Sequence, residues 1–291
     1  MGDMAPVGRT MREWNNGRYS LGEIRRLTWE NYGYHIGMFS ACVGPHTPVI
    51  SVTEQMVKEW IVDQRRTGIA DSTINTRMST VRAFFRWAVD EDLVDRSPVR
   101  RIKPIKLPRR QVRAVPDADI TDVIAAAPFR ERTMIIVAVQ TGLRRAELAN
   151  LRVSDWHPIR AALWVDEGKG GHGRWVSVPV EAAIALEQWV VTLPEGCEWM
   201  WPSNYGPRRG LPVVPDTVGD AIARVSAEAG HRFTPHPLRH TMVKGMLRNG
   251  ATLPEVAQQV GHSSVAVTGD IYGWASDDEI AEAVEGRRYR R

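Results

Sequence analysis

A proline-containing basic segment divides this chain into two parts. Residues 98–113 read PVRRIKPIKLPRRQVR, in which seven of 16 residues are basic, none is acidic and three are proline. Proline removes backbone N–H donors and favours extended backbone, so the segment predicts a linker and not a helix. The full length of 291 residues also exceeds one ordinary compact domain. We therefore expect a helical domain over residues 1–97, a basic linker over 98–113 and a second domain over 114–291.

The positive charge of the chain is concentrated in its first 115 residues. They contain 19 Lys and Arg against 12 Asp and Glu, whereas the remainder has 19 against 22 and the whole chain a net charge of +4. A basic region of this kind indicates a polyanionic partner such as nucleic acid. An extended basic segment gains affinity because each phosphate that it neutralises releases a condensed counterion. The linker residues predicted to contact phosphates are Arg100, Arg101, Lys103, Lys106, Arg109 and Arg110.

Composition argues against several other classes of protein. Hydrophobic residues make up 43% and charged residues 25% of the chain, the balance of a globular protein. No run approaches the roughly 18 continuous apolar residues of a membrane span, and the N-terminus has no apolar stretch behind a basic start, so we expect no signal peptide. Two cysteines, Cys42 and Cys197, predict free thiols in a reducing cytoplasm and no disulfide framework.

Apolar residues at helical spacing predict three helices in the first part, over 21–43, over 52–68 and after an N-cap at Asp71 or Ser72. The third helix has the clearest pattern. Its predicted buried face consists of Ile74, Met78, Val81, Phe85 and Val89. Its arginines lie off that face, where they form either a solvated side or a surface that contacts DNA. These arginines are Arg77, Arg82 and Arg86.

The second part predicts a mainly helical domain with one small β-hairpin. Val- and Trp-rich strands are expected over 162–166 and 174–180, joined by a turn whose sequence EGKGGHG contains four glycines. The predicted helices cover residues 117–127, 130–140, 144–151, 181–191, 216–229, 237–249, 254–260 and 277–285. The helix over 130–140 is apolar nearly all round and is therefore expected in the core.

Six polar residues of the second part fit the attack of a tyrosine on a phosphodiester. Two arginines can hold the non-bridging oxygens with their planar guanidinium groups. Lysine and histidine can transfer protons, and tyrosine can form a covalent phosphoester. Each residue alone is also explained as a surface charge, a capping histidine or a partly buried aromatic, and only the ordered set indicates a site. The set consists of Arg144, Lys169, His236, Arg239, His262 and Tyr272, while the adjacent His240 is assigned a structural role.

This order of residues, and the sequences around them, resemble the tyrosine recombinase (phage integrase) family. TGLRRAELANLRVSDW resembles the box of the first arginine, and GKGGHGRWVSVPV resembles the lysine hairpin of that family. HPLRH resembles its His-x-x-Arg box, and VGHSSVAVTGDIY its last histidine followed by the nucleophile. The resemblance covers about residues 20–285. It implies a SAM-like helical domain that binds the core DNA site and an α+β catalytic domain.

The resemblance also implies a role for each residue. Arg144 and Arg239 hold the scissile phosphate, and His262 donates a hydrogen bond to it. Lys169 protonates the leaving 5′ oxygen, His236 takes part in acid–base transfer, and Tyr272 forms the 3′-phosphotyrosyl bond. Glu147 matches an acidic position that supports the site.

Double-stranded DNA attachment sites are the partners that the resemblance implies, with no cofactor, ATP or metal. It further implies a homotetramer in the synaptic complex, a monomer or weakly associated protein when free, and an action on DNA in the cytoplasm of a bacterial host. Only about 20 residues precede the first predicted helix, so the chain resembles short phage integrases without an arm-binding domain. An excision factor is a further partner that this role allows.

The leading interpretation is a site-specific recombinase that integrates, and in reverse excises, a phage genome. Two alternatives remain at the level of sequence. One is an Xer-like chromosome-dimer resolvase, which the same residues would serve, and the other is a catalytically decayed DNA-binding protein, against which the complete residue set argues. A type IB topoisomerase shares the phosphotyrosine chemistry, but the local boxes resemble those of recombinases.

Overall fold

Two compact units, Met1–Arg110 and Gln111–Arg291, make up the computed structural model of this protein. The structure describes residues 5–108, 114–166, 173–261 and 269. Each unit buries a hydrophobic cluster of its own. The predicted fold class is confirmed: both units are mainly helical, and the second contains one small antiparallel sheet.

Four helices form the first unit. They are α1 (Val7–Ser20), α2 (Arg26–Val43), α3 (Glu54–Arg66) and α4 (Asp71–Asp90). The prediction that the first helix begins near residue 21 is wrong, because α1 precedes it and packs against α2. Val7, Met11 and Trp14 form the buried side of α1 at helical spacing. Polar residues between them obscure this pattern in the sequence.

Aromatic side chains of α2, α3 and α4 meet in the core of this unit. Phe39 contacts Trp60 edge to face with ring centroids 5.0 Å apart, and Phe84 contacts Phe85 at the same distance. The predicted buried face of α4 is confirmed from Ile74 to Phe85. The predicted N-cap at Asp71 or Ser72 is wrong. Ala70 is the N-cap residue, and the Asp71 carboxylate pairs with Arg65.

The placement of Arg77 on the outer side of α4 is wrong. Arg77 is only 6% exposed, and its guanidinium donates to the side chain of Gln64 at 2.8 Å. The guanidinium also lies 5.8 Å from the ring centroid of Tyr34, within cation–π range. Arg77 therefore supports the packing of α4 against α2 and α3 and does not present its charge at the surface. Arg82 is half-buried and donates to the carbonyl of Ile102, whereas Arg86 is exposed.

The described part of the basic segment, residues 98–108, contacts α4 of the first unit. Val99 is buried, and Ile102 and Ile105 pack against the same core. The amide of Asn75 donates to the Ile105 carbonyl and accepts from the Ile105 N–H, both at 2.9 Å. Val99, Ile102 and Ile105 thus face inward. The exposed basic residues of the segment are Arg100, Arg101, Lys103 and Lys106, whereas Arg109 and Arg110 lie outside the described residues.

The described elements of the second unit are seven helices and three strands. They are α5 (Asp117–Ala126), α6 (Phe129–Thr141), α7 (Arg145–Ala149), β1 (Trp156–His157), β2 (Ala162–Val165), β3 (Arg174–Ser177), α8 (Val180–Val190), α9 (Pro215–Glu228), α10 (Pro235–Arg248) and α11 (Leu253–Val260). The expected central helix is confirmed, because every residue of α6 from Thr133 to Ala138 is buried. It contacts α5, α8, α9 and α10.

The three strands form an antiparallel sheet in the order β1-β2-β3. Trp164 of β2 pairs with Trp175 of β3, as expected for the predicted hairpin, and Trp156 of β1 pairs with Leu163. The two-residue strand β1 is too short to leave a period-two pattern and was not predicted. The hairpin turn over 167–172 and the predicted helix over 277–285 lie outside the described residues. Within the described ranges, none of the helices is long and apolar enough to cross a membrane.

The contact between Asn75 and Ile105 generates a first prediction. Asn75→Ala removes two partly buried hydrogen bonds that hold the basic segment on α4, each worth about 1 kcal/mol. Local opening of residues 102–108 should become about five- to thirty-fold more frequent. Limited trypsin digestion should then cut faster after Lys106. Thr76→Ala is the matched control, because the Thr76 hydroxyl bonds only one turn back within α4. Equal cleavage of both variants would show that Asn75 does not hold the segment.

Candidate active site

The first predicted arginine lies where α6 ends and α7 begins. Gly142 ends α6 with left-handed backbone, φ 69°, and Arg144 is the N-cap residue of α7. The Glu147 carboxylate, in the first turn of α7, accepts from the Arg144 backbone N–H at 2.8 Å and from its guanidinium at 2.6 Å. A carboxylate at this position also interacts favourably with the positive end of the helix. The local sequence RRAEL thus orients Arg144 through Glu147.

Arg239 lies on α10, in the helix that HPLRH begins. It is 4% exposed and donates to the carbonyl oxygens of Gly142 and Val260, both at 2.6 Å. The Arg144 guanidinium donates to the next carbonyl along the chain, that of Gly261. Carbonyls at a helix C-terminus have no partner within the helix and carry its negative dipole end, so they bind cations well. The structure therefore brings Arg144 and Arg239, 95 positions apart in sequence, to adjacent carbonyls at the end of α11.

His236 lies in the first turn of α10, three residues before Arg239. Its ring meets that of His240 edge to face, with centroids 4.3 Å apart, and His240 is buried while His236 keeps an exposed face. Partial burial and, secondly, the charge of Arg239 lower the pKa of His236 below its ordinary value of 6.5. The imidazole is therefore neutral at pH 7 and able to accept a proton.

Arg174 is a central residue of this region that the sequence analysis did not select. It is the first residue of β3, and its side chain is 10% exposed. Its two terminal nitrogens donate to the two Glu147 oxygens at 3.0 and 2.9 Å. An arginine that opens an otherwise apolar strand was the only available signal, and nothing in the local sequence indicates a partner 27 positions upstream.

Glu147 consequently lies between two arginines. Its side chain is 12% exposed, and burial by itself would raise its pKa. The hydrogen bond and charge of Arg174, followed by the backbone N–H and charge of Arg144, outweigh burial, so the pKa of Glu147 is lowered. The carboxylate stays ionised at neutral pH and links the two guanidinium groups.

The last turn of α11 is tied to β3. The Gln259 side chain accepts from the Ser177 N–H and donates to the Ser177 carbonyl, both at 3.0 Å. The Gln259 backbone carbonyl accepts from Arg174 Nε at 3.2 Å. Gly261 then ends the helix with left-handed backbone, φ 66°. This end of α11 is therefore held by groups from β3, α7 and α10.

The remaining predicted site residues lie in the sequence after α11 or between β2 and β3. His262 comes directly after Gly261, Tyr272 ten positions later, and Lys169 five positions before Arg174. These three residues lie outside the described part of the structure. Within the described ranges, no group of three His, Cys, Asp or Glu residues could hold a metal ion.

Gly261 supplies a test of this packing. A Cβ at position 261 would lie 2.6 Å from Arg174 Cζ, so Gly261→Ala should displace the guanidinium and break its bonds to Glu147. Left-handed alanine costs about 1 kcal/mol by itself, and the lost charged hydrogen bonds should add about 1–3 kcal/mol. Gly250→Ala is the matched control, because Gly250 has φ 88° and nothing within 4 Å of the added Cβ. Thermal unfolding should show a larger loss of Tm for Gly261→Ala; equal losses would contradict the predicted clash.

Comparison with known proteins identifies both units. The model of the "Phage integrase family" matches residues 107–279, and that of the "Phage integrase, N-terminal SAM-like domain" matches residues 20–92. Tyrosine recombinase XerC of Mycobacterium sp. (strain KMS) is 30% identical over 244 residues, which cover 77% of this chain and 79% of the relative.

Solved structures share the fold. The Tn1549 transposon integrase in complex with a circular intermediate DNA superposes with a TM-score of 0.80 at 18% identity, over 96% of this chain and 99% of that one. A lambda integrase tetramer bound to a Holliday junction gives 0.73 at 20% identity, over 94% and 80%. The chain therefore belongs to the phage integrase family, and it is a tyrosine-type site-specific DNA recombinase, an enzyme that cleaves and rejoins DNA strands.

Proposed function

We propose that this recombinase integrates a phage genome at DNA attachment sites, and excises it in reverse, through a 3′-phosphotyrosyl intermediate at Tyr272. One observation carries the proposed site: Arg144 and Arg239 converge on adjacent carbonyls at the end of α11. The chain that continues from this point contains His262 and Tyr272. A phosphate bound by both arginines would therefore lie beside Gly261, and the proposed nucleophile follows Gly261 by only 11 positions in the sequence.

The two arginines are assigned complementary contacts with the scissile phosphate. The Arg144 side chain is 42% exposed and accessible to a non-bridging oxygen. Arg239 is buried behind the same carbonyls, and it exchanges one neutral carbonyl for an anionic phosphate oxygen, a stronger hydrogen bond. Positive groups held in place before reaction stabilise the charge that develops on these oxygens in the transition state. His262 is assigned a further hydrogen bond to the phosphate.

In the proposed cleavage step, the Tyr272 oxygen attacks phosphorus and forms a P–O bond while the bond to the 5′ oxygen breaks. His236 accepts the tyrosine proton, and Lys169 donates a proton to the leaving 5′ oxygen. Because the phosphotyrosyl ester keeps the energy of the broken bond, the reverse attack by a 5′ hydroxyl rejoins the strand without ATP.

The first unit and the basic linker are together proposed to bind the core DNA site. Arg86 and the exposed linker residues Arg100, Arg101, Lys103 and Lys106 are proposed phosphate contacts, with Arg82 at their edge. Arg109 and Arg110 continue this set in sequence. Such contacts position the duplex without reading its sequence and weaken steeply with salt. Buried Arg77 is removed from the set.

Four protomers on two attachment sites are the proposed synaptic assembly, formed from protomers that are single or weakly associated when free. The solved lambda integrase tetramer bound to a Holliday junction supports this stoichiometry for the shared fold. A bacterial host cytoplasm is the proposed setting, and an excision factor is the proposed means of directing the reaction.

A second candidate function is the resolution of chromosome dimers. It is favoured by the 30% identity to XerC of Mycobacterium sp. over most of both chains. A resolvase acts on two copies of one chromosomal site, whereas an integrase joins two different sites. Recombination assays with paired identical and paired different sites therefore distinguish the two functions.

Covalent trapping tests the nucleophile. Nicked duplexes tiled across the DNA beside the gene are incubated with the enzyme in EDTA and separated on a denaturing gel. The wild type should form a covalent protein–DNA adduct, and Tyr272→Phe should bind the same duplex without an adduct, because it lacks the attacking oxygen. An adduct retained by Tyr272→Phe would refute the assignment. Specific binding of the wild type without any adduct would favour the decayed, DNA-binding alternative.

The lowered pKa of His236 predicts the pH dependence of cleavage. A base must be neutral to accept the tyrosine proton, so the cleavage rate should fall as pH drops through the His236 pKa, which lies below 6.5. Arg239 and His240 are the neighbours on its own helix. Partial burial and, secondly, the charge of Arg239 move this decline to lower pH. His236→Gln should be about 10²-fold slower or more and should lose the decline.

His231→Gln is the matched control for this experiment. His231 lies near Asp119 and Asp122, each with a nitrogen–oxygen distance of 3.4 Å, and belongs to no part of the proposed site. It should keep both the rate and the acid decline of the wild type. An unchanged pH profile in His236→Gln would rule out its role as the base.

A further inference from the structure

Within the described residues, Arg174 lies against both partners of the Arg144 guanidinium. The Arg144 side chain is held by the Glu147 carboxylate on one side and the Gly261 carbonyl on the other. Arg174 donates to both oxygens of that carboxylate. It also packs so closely on Gly261 that an added Cβ would meet its Nη1 at 2.6 Å.

Both Glu147 oxygens are shared between the two arginines. Oε1 accepts from the Arg144 guanidinium at 2.6 Å and from Arg174 at 3.0 Å. Oε2 accepts from the Arg144 backbone N–H at 2.8 Å and from Arg174 at 2.9 Å. A carboxylate held at both oxygens by a planar guanidinium cannot rotate without breaking bonds. The direction of the Arg144 side chain therefore depends on Arg174 through the shared Glu147 carboxylate.

A second connection runs through α11. Arg174 Nε donates to the Gln259 carbonyl at 3.2 Å, in the turn that ends at Gly261. The Gln259 side chain is itself paired with Ser177 of the same strand, β3. One side chain thus joins β3 to Glu147 of α7 and to the end of α11, the two places where the Arg144 guanidinium is held.

We propose that Arg174 is a positioning residue for strand cleavage, which acts through Glu147 and Gly261 to aim the Arg144 guanidinium at the scissile phosphate. This inference rests on the proposed role of Arg144. Lysine in place of Arg174 keeps the charge but cannot form the bidentate contact with Glu147. A small misplacement of a group that stabilises the transition state is enough to slow a reaction about 10²-fold.

The experiment compares two substrates that differ only in the charge of the scissile phosphate. One is the ordinary phosphodiester; in the other, a methylphosphonate replaces a non-bridging oxygen at the position located by covalent trapping. The neutral phosphonate has less charge for Arg144 to stabilise, so a defect that acts through Arg144 should shrink on it. Arg174→Lys should cleave the phosphodiester about 10²-fold more slowly than the wild type and the methylphosphonate within about tenfold, with unchanged DNA affinity.

Two reference variants separate the possible failures. Arg144→Ala should show the same relief on the methylphosphonate, and its absence would refute the proposed role of Arg144 and with it the proposed site. Relief for Arg144→Ala but an equal defect of Arg174→Lys on both substrates would overturn the role of Arg174 alone, since a merely structural loss does not depend on phosphate charge. Arg224→Lys, altered in a surface pair with Glu228, should match the wild type on both.

Glu147→Gln provides an independent measurement from the other end of the contact. It keeps the size of the side chain and removes the charge that both arginines share, so it should reproduce the substrate-dependent defect even where Arg174→Lys does not fold. Combined in one chain, the two substitutions should slow cleavage little more than either alone, because both interrupt one connection. Multiplied defects in the double variant would contradict a shared path to Arg144.

Discussion

The carbonyl groups at the end of α11 are the constraint on which the described part of the candidate active site depends. A helix that stops leaves its last carbonyls without intrahelical partners. Here those of Val260 and Gly261 accept from Arg239 and Arg144, and the Gly142 carbonyl at the end of α6 accepts a further bond from Arg239. Two cations can lie side by side because helix ends of negative polarity face them. The same bonds hold both guanidinium groups in place.

Burial of charge restricts how Glu147 and Arg174 can be arranged. Glu147 and Arg174 are almost removed from water, which is unfavourable for either ion alone and tolerable only because each satisfies the other. Removal of one partner from such a pair typically costs about 3–5 kcal/mol, since the other charge is left buried. The network therefore favours the arrangement in which both ions stay paired. The proposed cleavage and rejoining require phosphate-binding groups held in one geometry, and this network suits that requirement.

The arginines of the first unit differ in exposure. Arg77 is enclosed between α3 and α4, whereas the charges of the basic segment point outward, away from the isoleucines that anchor it. Alternation between apolar and basic residues lets this short segment bind its own unit with one side and leave the other side charged. The segment was predicted as an extended basic linker that contacts phosphates. In the structure residues 98–101 form a turn, and Val99, Ile102 and Ile105 bury apolar surface against the first unit.

Sequence by itself determined what depends on local order. Helical periodicity located the buried face of α4, and apolar residues nearly all round the helix indicated the central helix α6. The succession of boxes from Arg144 to Tyr272 indicated the family that the comparisons then established. Tertiary structure alone decided which polar residues meet. The bonds of Arg144 with Gly261, of Arg239 with Gly142 and of Arg174 with Glu147 span 117, 97 and 27 positions. Periodicity reports which side of an element is buried, but the partner of a buried charge is chosen by how distant elements pack, and no local pattern encodes that choice.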